Sequence, residues 1–154
     1  MQLSEILKAG AVKTLAGCSS KKRLFHDLGE LAEHNYHVPA GVVTDALIER
    51  ESLGPTGVGH GIALPHARMD GLPQVCGLFL RLEKPVGFDA VDRQPVDLVF
   101  SLLAPTEAGV EHLRALALVS RTMRNPDICA KLRANSDPAT LHTILTEVSA
   151  SQAA

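Results

Sequence analysis

Gly57-Val58-Gly59-His60-Gly61-Ile62-Ala63-Leu64-Pro65-His66-Ala67-Arg68 is the stretch on which the reading of this chain turns. Three alternating glycines precede a short apolar run and a histidine set directly behind a proline. Glycine lets a backbone come close to a ligand or take positive φ. Ile62, Ala63 and Leu64 read as a short buried strand. Pro65 locks its own φ and pushes Leu64 towards extended geometry. His66 is therefore expected at a strand end, on stiff backbone, beside a loop rich in approachable N–H groups. Residues 52–61 read as a loop with Gly54-Pro55 as its turn signal, and 68–73 as a second turn-rich loop.

Upstream, Pro39 opens a helix that places Val42, Val43, Ala46 and Leu47 on its inner face and Asp45, Glu49 and Glu51 elsewhere. Arg50 falls near its C-terminal end. There it is either a surface cation favoured by the helix dipole or an anion-binding group, because the helix stops just before the glycine segment. Residues 20–36 predict an amphipathic helix capped by Ser19 or Ser20, with Leu24, Phe25, Leu28, Leu31 and Ala32 in one stripe. His26, His34 and His37 in that region read as solvated or partly packed. Residues 4–8 suit one helical turn capped by Ser4, and 11–15 a first strand.

Downstream, 75–82 alternates and predicts a strand, followed by an irregular polar connection over 83–94. Residues 95–103 are apolar enough for a central strand covered on both faces. A helix over 110–123 is expected to turn Leu113, Leu116, Ala117 and Met123 inward, with His112 in its first turn. Pro126 starts a further helix to about 134. The last helix spans 136–148, capped by Ser136 or Asp137, with Leu141, Ile144, Leu145 and Val148 inward; 149–154 should fray. The order of elements predicts an α/β fold, a single-domain sandwich over 1–154 with a mixed β-sheet flanked by helices.

Bulk properties narrow the function. Hydrophobic residues make up 45% of the 154, aromatics only 3%, so the core is aliphatic and stacking platforms for single-stranded nucleic acid are lacking. A formal charge of −2 offers no basic footprint for nucleic acid or for an anionic membrane. Cys18, Cys76 and Cys129 are odd in number and far apart, which argues for reduced cysteines in a cytoplasmic protein. Neither a signal peptide nor a membrane span is evident.

His66 is open to several readings: core histidine, metal ligand, general base or nucleophile. Acyl transfer would need a Ser or Cys nucleophile with an oxyanion site, and neither a G-x-S-x-G segment nor a marked cysteine is present. His60, His66 and His112 match no standard zinc spacing, and the glycines form no P-loop. A phosphoryl-accepting histidine explains more. An imidazole with a pKa of about 6.5 is substantially neutral at pH 7 and keeps one free lone pair. Phosphoryl transfer asks the protein for placement and charge stabilisation. The glycine-loop N–H groups of Gly59 and Gly61 and the Arg50 guanidinium are candidates to supply it, with His112 or His60 as a second imidazole donor.

Arg50-Glu51, then Thr56-Gly57-Val58-Gly59-His60-Gly61-Ile62-Ala63-Leu64-Pro65-His66, Phe88-Asp89-Ala90-Val91-Asp92, Pro95-Val96-Asp97-Leu98-Val99-Phe100, and His112-Leu113 with Leu116-Ala117 occur in this order across nearly the whole chain. In these segments the sequence resembles EIIA domains of the fructose/mannitol/nitrogen-regulatory type from the bacterial phosphoenolpyruvate-dependent phosphotransferase system, most of all the nitrogen-regulatory branch. The resemblance implies an α/β sandwich, phosphorylation of His66 through Nε2, and a phosphoryl site lined by Arg50 and His112. It implies an HPr-like phosphocarrier as donor, itself charged through an Enzyme I, and no cofactor at this step. Two positions depart from the family pattern. His60 is more often Asn or Glu, and stands either as a phosphate ligand or as a polar loop residue. Ala67 is often Gly, and still offers its N–H.

With no EIIB or membrane EIIC segment in the sequence, the expected function is a cytoplasmic phosphocarrier whose phosphorylation state regulates other proteins in nitrogen or potassium metabolism. The alternatives are a sugar-specific EIIA that passes phosphate to a separate EIIB, and a binding module that has lost phosphoryl chemistry.

Overall fold

A computed structural model describes residues 1–153, with side chains described through Glu147. The expected fray over 149–154 and the inward Val148 lie outside the fully described residues. The strands are β1 (Val12–Leu15), β2 (Gly57–Gly59), β3 (Ile62–Ala63), β4 (His66–Met69), β5 (Cys76–Val86) and β6 (Val96–Pro105). The helices are α1 (Leu3–Ile6), α2 (Lys21–Tyr36), α3 (Ala40–Ser52), α4 (Val110–Met123), α5 (Pro126–Arg133) and α6 (Pro138–Ala153).

The sheet is six-stranded and mixed, in the order β1-β5-β6-β3-β2, with β4 also on β6. β1 runs parallel to β5, β5 antiparallel to β6, and β3 and β4 parallel to β6. Within β6, Leu98, Val99, Phe100, Ser101, Leu102, Leu103 and Ala104 are all buried in succession. Side chains alternate between faces along a strand, so this strand is covered on both, as its composition predicts. The helices that cover it form two packed groups: α2 with α3, and α4, α5 and α6 with α1.

β3 and β4 occupy the same edge of β6, at Leu98–Val99 and at Leu102–Pro105. They are one interrupted strand with Leu64-Pro65 in the break. Proline has no N–H to give to a ladder, yet its carbonyl still accepts the Leu102 N–H at 3.0 Å. His66 consequently begins a strand rather than merely ending one, and Arg68, expected in a loop, lies within β4. Two other loops are also shorter than expected. Gly57–Gly59 pairs antiparallel with β3, and β5 continues through 83–86.

Helix starts follow local chemistry. Ser20 caps α2 by accepting the Arg23 N–H, and Asn125 caps α5 in front of Pro126. The five-residue stripe predicted for α2 is buried throughout. At the first helix the N-cap is Gln2 rather than Ser4.

The phase of two helices differs from expectation. In α3, Val42 is 50% exposed and the inner face is Val43, Thr44, Leu47 and Glu51. In α4, Leu113 is 63% exposed and Ala117 is exposed, while His112, Ala115, Leu118, Val119, Thr122 and Met123 are buried. Both helices carry apolar residues on more than one face, and both turn polar groups inward where partners await them. Thr44 Oγ1 donates to the Ala40 carbonyl at 2.9 Å and Thr122 Oγ1 to the Leu118 carbonyl at 2.9 Å.

Candidate active site

α3, β4 and α4 meet at a pocket of about 390 Å³ lined by Ala46, Glu49, Arg50, Leu53, His66, Ala67, Arg68 and His112. Topology explains the meeting. β4 lies parallel to the end of β6, and α4 follows β6 after a short loop, so the first turn of α4 returns to β4. The His66 and His112 rings stand edge to face, with centroids 5.8 Å apart and planes at 69°.

His66 is half-buried at the start of β4. Its Nδ1 lies 2.8 Å from the Leu64 carbonyl oxygen. A carbonyl only accepts, so Nδ1 carries the proton and the neutral ring keeps its lone pair on Nε2. Burial pushes the His66 pKa down, the Leu64 hydrogen bond raises it, the Arg50 charge lowers it and Glu51 raises it; the net direction is downward. The free lone pair is thereby maintained below the ordinary imidazole range.

Arg50 is half-buried in the last turn of α3, and its Nη1 donates to the Gly54 carbonyl at 3.0 Å. The next residue, Glu51, is buried and accepts from the Thr56 N–H at 2.8 and 2.9 Å, from the Thr56 hydroxyl, and from Lys21 Nζ at 3.4 Å. The Thr56 carbonyl in turn accepts the Leu64 N–H at 3.0 Å. Glu51 thus ties the end of α3 to the backbone that orients His66. Expected elsewhere on its helix, Glu51 faces inward because these donors need a carboxylate.

His112 is 7% exposed. Its Nδ1 accepts a hydrogen bond from Arg68 Nε at 3.0 Å, and its buried Nε2 has no partner among the described residues. Burial is the first cause of its lowered pKa, followed by the neighbouring His66 and Arg68 charges. Arg68 itself was not among the residues singled out by sequence. The signal was present: His66 and Arg68 are two apart in an extended segment, and so share a face, opposite buried Ala67 and Met69.

Gly59, His60 and Gly61 are not among the residues lining this pocket. Gly59 and His60 line a second cavity of about 690 Å³, against Met123, Arg124, Cys129 and Arg133. Three successive positive φ angles, 100°, 57° and 79°, turn the segment away. The His60 N–H is taken by Asp92 at 2.9 Å and its carbonyl by Arg133 Nη2 at 2.7 Å. Gly61 makes room for that clamp, since a Cβ there would sit 2.6 Å from Arg133 Nη2 and 2.8 Å from Asp97 Oδ1. The glycines serve a turn and an Arg133–Asp97 pair of 2.9 Å, not the surroundings of His66. Of the predicted residues, Arg50, His66, Ala67 and His112 come together. His26 and His34 are exposed on α2, and His37 closes that helix with φ 58°.

A half-buried imidazole with one nitrogen tethered to backbone and the other free, beside two arginines and a second imidazole, is an arrangement with the charge and donors to receive an anionic group. The chain belongs to the family described as the phosphoenolpyruvate-dependent sugar phosphotransferase system, EIIA 2, whose profile matches residues 5–148. A nitrogen regulatory protein from Escherichia coli K12 is 39% identical over 148 residues, 96% of this chain and 91% of the relative. The crystal structure of nitrogen regulatory protein IIA-Ntr from Neisseria meningitidis superposes with a TM-score of 0.87 at 39% identity, covering 94% of this chain and 99% of that one. A fructose-specific EIIA component from Haloferax volcanii is 38% identical over 104 residues, 68% of each chain. Among the described residues no helix is long and apolar enough to cross a membrane.

Proposed function

We propose that this chain is a single-domain cytoplasmic phosphocarrier that takes a phosphoryl group on His66 Nε2 from an HPr-like protein, and that its phosphorylation state regulates nitrogen or potassium metabolism. The observation that carries the reading is the tethered ring. With Nδ1–H held by the Leu64 carbonyl, Nε2 presents its lone pair beside Arg50 and His112. In the transfer the bond from Nε2 to phosphorus forms as the bond from phosphorus to the carrier breaks, and the electron pair leaves on the carrier. The Arg50 guanidinium offsets the negative charge of the moving group, His112 donates to one of its oxygens, and the Ala67 N–H is a further candidate donor. Membership of the EIIA 2 family and likeness to nitrogen regulatory proteins support both the chemistry and the regulatory output.

Likeness to a fructose-specific EIIA component supports a second reading, in which the phosphate passes to a separate EIIB for sugar uptake. Which EIIB, if any, accepts phosphate from the loaded chain separates the two.

The test is incubation with Enzyme I, HPr-type carriers and phosphoenolpyruvate, followed by intact mass. The wild-type chain is expected to gain one acid-labile phosphate and His66→Ala none. Arg50→Ala is expected to slow transfer by about 100-fold, the scale for losing one oxyanion donor, with little change in carrier affinity. An absence of phosphate on the wild-type chain with every carrier, or labelling of His66→Ala, would refute the assignment.

A further inference from the structure

We propose that Arg68 is a positioning residue for transfer, acting through His112. By donating Nε–H to His112 Nδ1 it holds the second imidazole in its Nε2–H form, so that His112 can only donate towards a phosphoryl group on His66. This inference rests on the phosphocarrier reading above and adds the residue that sets the protonation pattern of the site.

The argument is one of donors and acceptors. A guanidinium carries five N–H donors, no acceptor, and does not lose its proton in proteins. The 3.0 Å contact between Arg68 Nε and His112 Nδ1 therefore requires Nδ1 to be the acceptor. The single proton of the neutral ring is then on Nε2. That Nε2–H is buried and has no partner among the described residues. A buried donor without an acceptor is costly, and the site retains one in the pocket shared with His66. An anionic oxygen on His66 Nε2 would supply the missing acceptor. The opposite tautomer would set two N–H groups against each other at Arg68 and turn a lone pair towards the arriving anion. A doubly protonated His112 meets the same clash, reinforced by the Arg68 charge and by His66, whose ring centroid is 5.8 Å away.

Backbone geometry makes the contact dependable. Arg68 is two residues beyond His66 on the exposed face of β4, while Ala67 and Met69 anchor the other face in the core. β4 is paired residue by residue with β6, Arg68 opposite Ala104, and α4 begins six residues later with His112 in its first turn. The same strand thus carries the acceptor imidazole and the group that orients its partner. Outer-shell contacts of this kind, at metal-bound histidines, typically contribute 10- to 100-fold to affinity or activity.

The test compares wild type, Arg68→Ala, His112→Ala and the double variant. Nitrogen-15 NMR of the unphosphorylated chain is expected to show His112 as a single Nε2–H tautomer in wild type and as a tautomer mixture in Arg68→Ala. In steady-state transfer from the HPr-type carrier, Arg68→Ala is expected to lower kcat roughly 10- to 100-fold with KM nearly unchanged. In the His112→Ala background the same substitution should change nothing further, because its route is already removed. A single Nε2–H tautomer retained in Arg68→Ala would overturn the proposal. So would an undiminished effect in the His112→Ala background, which would assign Arg68 to the phosphoryl group or carrier directly. A change confined to KM would assign it to docking and likewise overturn it. A wild-type chain that accepts no phosphate overturns the transfer role together with the phosphocarrier reading, and the NMR result then reports separately on whether Arg68 sets the tautomer.

Discussion

Proton placement on two imidazoles governs the site. His66 has its proton on Nδ1 because only a carbonyl faces that atom, and His112 has its proton on Nε2 because only a donor faces its other nitrogen. Both pKa values are pushed below 6.5, in each case first by burial. For a histidine with a lowered folded pKa, the unfolded chain binds the proton more tightly. The two rings therefore favour the folded state fully above pH 6.5, and this contribution is lost as pH falls through the folded-state pKa values. Denaturant melts at descending pH should show stability declining below that point, and His66→Ala should weaken the decline. Phosphoryl uptake is expected to hold steady from pH 7.5 to the ordinary imidazole range and to fall only at more acid pH, as NMR titration of the His66 ring can verify. The histidine behind Pro65 stands out in the sequence as a candidate site residue because of its stiff backbone. Its tautomer does not, because that depends on the direction of the Leu64 carbonyl, which a sequence does not contain.

Single helices and strands contribute by how their ends are tied. α3 finishes with Arg50 bonded to the Gly54 carbonyl and Glu51 bonded to Thr56, and Thr56 leads through Leu64 to His66. Replacing Glu51 with Gln puts an amide donor among the Thr56 N–H, the Thr56 hydroxyl and Lys21, and removes the charge that Lys21 pairs with. A loss of about 2 kcal/mol in urea denaturation is expected, the scale for a buried charge-assisted hydrogen bond. A broadened His66 resonance should accompany it, because the support of the Leu64 carbonyl loosens. An unchanged denaturation midpoint would count against this coupling. α2 was legible because its apolar residues fall on one stripe, whereas α3 and α4 were misphased because Val42 and Leu113 are apolar and exposed. Polar residues with internal partners, Thr44, Glu51 and His112, take the inward positions that hydrophobicity alone assigns elsewhere.

At the scale of the whole molecule, the mixed sheet gathers the end of α3, the start of β4 and the start of α4 at one mouth. One apolar side chain left exposed lies at this mouth: Leu53, 82% exposed and lining the His66 pocket. Apolar exposure beside the proposed acceptor suits a surface on which a partner docks closely and excludes water. Leu53→Asp is expected to raise the KM for the HPr-type carrier by about 10-fold, the worth of a modest interface contact, while kcat stays near the wild-type value. A fall in kcat at unchanged KM would show that Leu53 serves the chemistry instead. By itself, the sequence determined the fold class, the main helices and the central β6, though not β2 or β4, and it singled out His66, Arg50 and His112 as candidates, which share one pocket. These follow from local properties: apolar period, helix caps, proline stiffness and the order of recognisable segments. Only the tertiary structure decided that Arg68 reaches His112, that Glu51 holds Thr56, and that Gly59 and His60 line another cavity. Those outcomes depend on hydrogen-bond partners that meet across the fold, Arg68 with His112 and His60 with Arg133 and Asp92, and a contact between distant residues exists only once the sheet has brought them together.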